Sequence, residues 1–146
     1  MNWDIYFMEM ALLVASRSRD RSTKVGCIIV GPDNEIRTTG YNGFPRGIDD
    51  ENESRHERPE KYLWTEHAER NAIYNAARIG TPLKGCRAYL AWFPCMDCAR
   101  ALVQAGIVEL IAYKPNLDDP KWGGEFARVS VLLTEANVSV RYMESA

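Results

Sequence analysis

Ile5, Met8, Leu12 and Ala15 recur in steps of three and four, which predicts a helix over residues 2–17 with one apolar stripe. The pattern then changes. Val25 to Val30 is a short apolar run with β-branched residues, the Gly31-Pro32-Asp33-Asn34 cluster is a turn, and Ile36 to Tyr41 returns as a second strand, so the two form a hairpin. Residues 42–64 are polar and punctuated by Gly43, Pro45, Gly47 and Pro59; so long a connection reads as a functional lid. Within it, Ser54-Arg55-His56-Glu57 matches a capping box and predicts a short helix start. A helix over 67–79 is stopped by Gly80, a strand covers Cys86 to Trp92, and a helix after Pro94 ends at Gly106. Ile107 to Tyr113 is a strand, 124–136 a helix and Val138 to Tyr142 a last strand. The order α-β-β-α-β-α-β-α-β predicts a partly parallel sheet covered by helices.

The length of 146 residues fits one domain, 1–146, with a single core. A formal net charge of −2 argues against a long nucleic acid as partner, since proteins gripping a phosphate backbone are usually basic. No run approaches the roughly 18 apolar residues of a membrane span. Met1-Asn2-Trp3-Asp4 carries no basic stretch leading into an apolar segment, so a secretory signal is not expected and the cytoplasm is the expected location.

In that setting a C-x-x-C pair reads as metal-binding or redox-active before it reads as a disulfide. Cys95 and Cys98 are three apart at a predicted helix start, so their sulfurs share a face, and the helix N-terminus favours thiolate over thiol. Pro94 suits the approach to a first turn, where a missing N–H costs little. His67 opens the preceding helix. One His and two Cys complete three positions of a tetrahedral zinc and leave the fourth open, the arrangement of a catalytic site. Cys27 and Cys86 lie in apolar strands and are expected to be core residues, and His56, in a charged stretch, a solvated one.

His67-Ala68-Glu69 followed by Pro94-Cys95-Met96-Asp97-Cys98 is the H-x-E…P-C-x-x-C signature of zinc deaminases. Spacing alone would not pair His67 with Glu69, because mid-helix residues two apart point nearly opposite ways; they cooperate only in a first turn. With Lys24-Val25-Gly26-Cys27-Ile28-Ile29-Val30, Thr39-Gly40-Tyr41-Asn42-Gly43-Phe44-Pro45-Arg46-Gly47 and His67 to Ile73, the chain resembles the deoxycytidylate (dCMP) deaminases of the cytidine deaminase superfamily over about residues 20–140.

The resemblance implies a three-layer α-β-α sandwich around a five-stranded mixed sheet. It implies one catalytic Zn2+ held by His67, Cys95 and Cys98, with Glu69 as proton shuttle. It places Asn42 at the sugar or base and Ser22-Thr23-Lys24 near the 5′-phosphate, where Lys24 suits a phosphate as a point charge. The other readings are a turn former for Asn42 and a plain surface charge for Lys24. Trp92 or Phe93 is expected to stack on the base, with Phe93 taken as the substrate contact and a core role the other reading for Trp92, which ends a buried strand. The expected reaction is hydrolytic deamination of dCMP to dUMP, by a homo-oligomer, a hexamer by resemblance. The alternatives are deamination of another nucleotide, a nucleobase or a tRNA adenosine, or a non-catalytic zinc-stabilised binding module. Three features depart from the family pattern: residues 42–64 offer only His56 toward a second zinc, Cys27 replaces a common Ala, and Arg70 and the 58–64 sequence are unfamiliar for dCMP specificity.

Overall fold

A computed structural model describes residues 1–145. Helix α1 (Trp3–Ala15) leads into the antiparallel hairpin β1 (Gly26–Val30) and β2 (Ile36–Tyr41). A 3-10 turn (Glu53–His56) and the one-turn helix α2 (Lys61–Trp64) precede α3 (Ala68–Ile79), β3 (Arg87–Leu90), α4 (Met96–Ala105), β4 (Glu109–Tyr113), α5 (Gly123–Glu135) and β5 (Ser139–Met143). The five strands form one mixed sheet in the order β2-β1-β3-β4-β5, with β1 antiparallel to both neighbours and β3, β4 and β5 parallel. The parallel pairs need crossovers, and α4 and α5 supply them.

Alternation along the central strands separates two apolar layers. Cys27, Ile29, Ala88, Leu90, Leu110 and Ala112 face Ala72 and Ala76 of α3, Leu102 of α4 and Val129 and Leu133 of α5. Ile28, Val30, Tyr89 and Ile111 face Phe7, Met8 and Ala11 of α1. Both faces of the sheet are covered, which is why β1 is buried at every position and reads as a continuous apolar run. Cys27 and Cys86 are fully buried, as expected of core thiols.

Helix α3 is fastened to β2 by side chains as well as packing. Thr38 Oγ1 donates to the Ala72 carbonyl, Asn75 Nδ2 to the Thr39 carbonyl and Asn71 Nδ2 to the Tyr41 carbonyl, each at 2.8 Å. Gly40 permits the approach: a Cβ there would lie 2.3 Å from the Ala72 nitrogen and 2.4 Å from the Ala68 oxygen. The α3 and α4 ends are sharp because Gly80 and Gly106 take left-handed conformations after them.

Three local expectations are corrected. The buried face of α1 is Phe7, Met8, Ala11 and Ala15, while Ile5 and Leu12 are 41% and 46% exposed. The helix is apolar on nearly every side, so periodicity could not choose a face; contact with β1 does, through Gly26, where a Cβ would lie 2.1 Å from the Ala11 oxygen. Ser54 does not cap the short turn. Asn52 does, accepting from the Ser54 N–H at 3.1 Å, and Glu57 is already extended, so no capping box closes. His56 is half-buried rather than solvated: its ring stacks on Phe44 with centroids 4.8 Å apart, and its Nε2 meets the Asp50 carbonyl.

Candidate metal centre and catalytic site

Two helix starts converge on one point. His67 is the N-cap of α3 and Cys95 the N-cap of α4, both with extended backbone, and Cys98 lies in the first turn of α4. Each sits beside the free N–H groups and partial positive charge of its helix, which suits thiolates. The 42–64 connection fixes the entry to α3, because reciprocal Gly43–Glu66 backbone bonds of 3.0 and 2.8 Å close it one residue before His67.

His67 Nδ1 is 3.5 Å from Cys95 Sγ and 3.3 Å from Cys98 Sγ, and the three ligand atoms lie within 4.8 Å of one another. A tetrahedral zinc with Zn–N of about 2.0–2.1 Å and Zn–S of about 2.3 Å sets an N···S separation of about 3.5–3.6 Å. The set therefore matches zinc in donor chemistry and in spacing, with three protein ligands and a fourth position for water.

Electrostatics distinguish the groups. The Cys95 thiol is pushed down to about 4, first by its hydrogen bond with Cys98 and then by His67 and the Cys98 backbone N–H, against the opposing effect of burial. Cys98 is pushed up by that same bond and by burial, the expected asymmetry of two thiols sharing one site. His67 is raised chiefly by its bond to Cys95.

Glu69 occupies the first turn of α3, is 5% exposed, and interacts with the Cys98 sulfur. Burial raises its carboxyl above the usual range. The objection that residues two apart diverge on a helix does not apply at the pole, where His67 is still extended and only Glu69 is helical. A buried carboxyl raised in this way, beside the three metal-ligand side chains, has the chemistry of a group that can take up and release a proton.

The substrate residues expected from sequence fall into three groups. Asn42 is buried, with its side chain spent on the neighbouring loop: Oδ1 accepts from the Val25 N–H and Nδ2 donates to the Thr23 carbonyl, both at 2.9 Å. Its place at the end of β2 thus fixes the 22–24 turn. Ser22 and Lys24 are exposed, Thr23 is half-buried, and Lys24 has no ion-pair partner among the described residues. Phe93 is 6% exposed and packs edge-on against Phe126 at 5.7 Å, at the edge of the core that also holds Cys98's neighbour Ala99, while Trp92 is 54% exposed and does not enter the core. Strand β3 ends at Leu90, so the two aromatic residues follow a bend in which alternation no longer sets their direction.

Sequence reading missed two groups. Arg70 bonds Glu66 at 2.5 Å and lies 3.6 Å from Asp97 of α4; the Glu66-x-x-x-Arg70 spacing was the available signal. Asp20 and Lys61 form a pair at 3.2 Å with side chains only 8% and 12% exposed. No local pattern links positions so far apart in the chain.

Residues 1–114 match the family described as the cytidine and deoxycytidylate deaminase zinc-binding region. The chain is 38% identical over 146 residues to deoxycytidylate deaminase of Homo sapiens, covering 97% of this chain and 79% of the relative, and equally to that of Mus musculus. Among solved structures, the dCMP deaminase of the cyanophage S-TIM5, in complex with dCMP and dUMP, superimposes with a TM-score of 0.77 at 26% identity, covering 98% and 99% of the two chains. A matched region spanning most of the chain, relatives that align along 97% of it and a His-Cys-Cys cluster spaced for zinc lead to one conclusion: the chain belongs to the cytidine and deoxycytidylate deaminase family.

Proposed function

We propose that this chain is a zinc-dependent hydrolase that deaminates dCMP to dUMP, using water and releasing ammonia, as one deaminase domain over residues 1–146. The observation that carries the reaction type is a buried carboxyl, Glu69, next to three ligands that leave zinc one open position. A structural zinc site is closed by four ligands and has no use for such an acid. The substrate rests on similarity to named deoxycytidylate deaminases along nearly the whole chain.

Zinc held by His67, Cys95 and Cys98 supplies the Lewis acidity that makes water nucleophilic near neutral pH. Glu69 takes one proton from water as its oxygen adds to C4 of the cytosine ring and passes that proton to the ring nitrogen; it then takes the second proton from the new C4 hydroxyl and gives it to the amine, which leaves as ammonia as the C4 carbonyl forms. Its burial keeps each proton from bulk solvent between uptake and delivery. At the other end of the substrate, Ser22, Thr23 and Lys24 meet the 5′-phosphate, on a turn that Asn42 holds in place. The net charge of −2 favours a single nucleotide over a polynucleotide.

The outer face of α1 presents Trp3, Tyr6, Leu12 and Leu13, between 41% and 71% exposed, and supports contact with further copies in a homo-oligomer, a hexamer by resemblance. Four free cysteines fit a reducing compartment such as the cytoplasm. No helix among the described residues is long and apolar enough to cross a membrane.

Ammonia release by the purified protein from dCMP, CMP, deoxycytidine, dCTP, AMP and guanine tests the assignment. Selective turnover of dCMP is expected. Turnover of another member of the panel in its place, with zinc bound, would overturn the substrate while leaving the reaction class standing.

A further inference from the structure

Three successive residues of the turn before β1 each grip the 42–64 segment. Arg19 pairs with Asp50 at 3.2 Å, Arg21 makes a two-pronged contact with Glu53, and Asp20 pairs with Lys61 on α2. The flanking pairs are exposed, and exposed pairs contribute little. The central pair is different. Its side chains are nearly enclosed, and Asp20 Oδ1 also accepts the backbone N–H groups of Ser22 at 2.9 Å and Thr23 at 3.0 Å. A carboxylate taking two N–H groups of the turn and one ammonium sets the direction of the chain that follows it.

The network continues inward. The Asp20 N–H donates to Ser18 Oγ at 3.2 Å, Ser18 Oγ donates to the Asn42 carbonyl at 2.8 Å, and the Asn42 side chain returns to Thr23 and Val25. The 18–25 turn is thus held from one side by buried polar groups at the end of β2 and from the other by α2. Of its three cations, Arg19 and Arg21 are neutralised by acids of the 42–64 segment, while Lys24 has no acidic partner among the described residues. The positive charge left to a ligand is on the part of the turn that Asp20 and Lys61 position.

We propose that Asp20 and Lys61 are positioning residues for phosphate recognition: the pair fastens helix α2 to the Ser22-Thr23-Lys24 turn and holds that turn where a nucleoside 5′-monophosphate binds. This rests on the reading that the chain acts on a 5′-monophosphate met by this turn. The pair touches neither the metal ligands nor Glu69, so its loss weakens binding of the phosphate more than it slows the chemical step.

The test compares wild type, Asp20→Asn, Lys61→Met and Lys61→Arg as full-length, zinc-loaded protein, with kcat and KM for dCMP and for deoxycytidine. Asp20→Asn keeps an oxygen for the two N–H groups while removing the charge, so it remains informative if Lys61→Met folds poorly. The expected result is a KM for dCMP about tenfold higher in Asp20→Asn and Lys61→Met, the loss of one charge-assisted contact, with kcat within a factor of about two. The preference for dCMP over deoxycytidine falls with it, and Lys61→Arg restores most of the KM. Equal losses for both substrates, a fall in kcat alone, or a KM that does not move would each overturn the proposal. A wild type without preference for dCMP over deoxycytidine would instead overturn the underlying phosphate reading, and the proposal with it.

Discussion

Arg70 on α3 lies 3.6 Å from Asp97 on α4, and so links the two helices whose starts carry His67, Cys95 and Cys98. Asp97 sits between the two cysteines, and Arg70 directly follows Glu69. The guanidinium is partly buried. Burial disfavours its charge, but the Cys98 sulfur, Glu66 and Cys95 outweigh that and raise Arg70 overall. A fixed positive charge beside two sulfurs favours their ionised, metal-binding form.

Removing that charge with Arg70→Gln is therefore expected to weaken zinc binding by about tenfold, the lower end of the range for groups that support metal ligands from behind. Competition with a chromophoric chelator at constant pH measures it. Unchanged zinc affinity would mean that Arg70 serves only to join the helices.

Glu69→Gln is expected to retain stoichiometric zinc and to lose activity by a factor of about 100 or more, since an amide cannot carry the proton in either direction. Cys95→Ser is expected to behave oppositely, losing the metal first and activity as a consequence, because a hydroxyl does not ionise at neutral pH to replace a thiolate. Elemental analysis beside ammonia release separates the two patterns. Full activity in Glu69→Gln would remove the shuttle assignment.

The metal centre was legible because its residues are local: Gly80 and Gly106 mark the helix ends, and His67 and the Cys95–Cys98 pair mark the helix starts. What escaped was settled by contacts distant in sequence. The buried face of α1 depends on Gly26 of β1, since nearly every α1 position is apolar. The inward turn of Phe93 depends on Phe126 of α5, supplied far downstream. Asp20 and Lys61 look like ordinary surface charges in the sequence, and only the docking of α2 on the 18–25 turn buries them. Helix α2 itself was lost within a segment whose Gly and Pro residues dominate its local pattern.

Gly40→Ala should reach the active site through the fold. A Cβ at this position meets main-chain atoms of α3 at 2.3 and 2.4 Å, which no side-chain rotation relieves. Relaxation moves α3, and His67 and Glu69 move with it. A destabilisation of about 1–3 kcal/mol is expected, visible as a drop in Tm of about 2–4 °C for each kcal/mol in a chain of this size, together with weaker zinc retention. Gly124→Ala is the opposite case. A Cβ there meets nothing within 4 Å on helix α5, so the substitution is expected to raise stability by about 0.5–1 kcal/mol. Thermal denaturation of both variants with and without chelator checks the contrast, and equal behaviour of the two would show that α3 has freedom to shift on the sheet.

The Asp20 carboxyl gives the fold a defined acid limit. Burial alone would raise its pKa, but the Thr23 and Ser22 N–H groups and Lys61 outweigh burial, so the folded value lies below the ordinary 3.8. A carboxylate lowered in the folded state contributes its full stability above the unfolded value and loses it as pH falls through the folded one. The contribution is therefore constant at neutral pH, begins to fall as the solution approaches pH 3.8, and disappears below the folded value. Asp4, lowered chiefly by its bond to Arg141, acts in the same direction, so Asp20 accounts for part of the limb only. Asp20→Asn has no proton to gain at this position. It is expected to be less stable than wild type at pH 7 and to lose less on acidification, so the two stability curves draw together below pH 3.8. Urea denaturation at a series of pH values from 7 downward, with zinc-free protein to remove the separate acid release of the metal, measures the difference. Parallel curves over the whole series would mean that Asp20 carries no folded-state pKa shift.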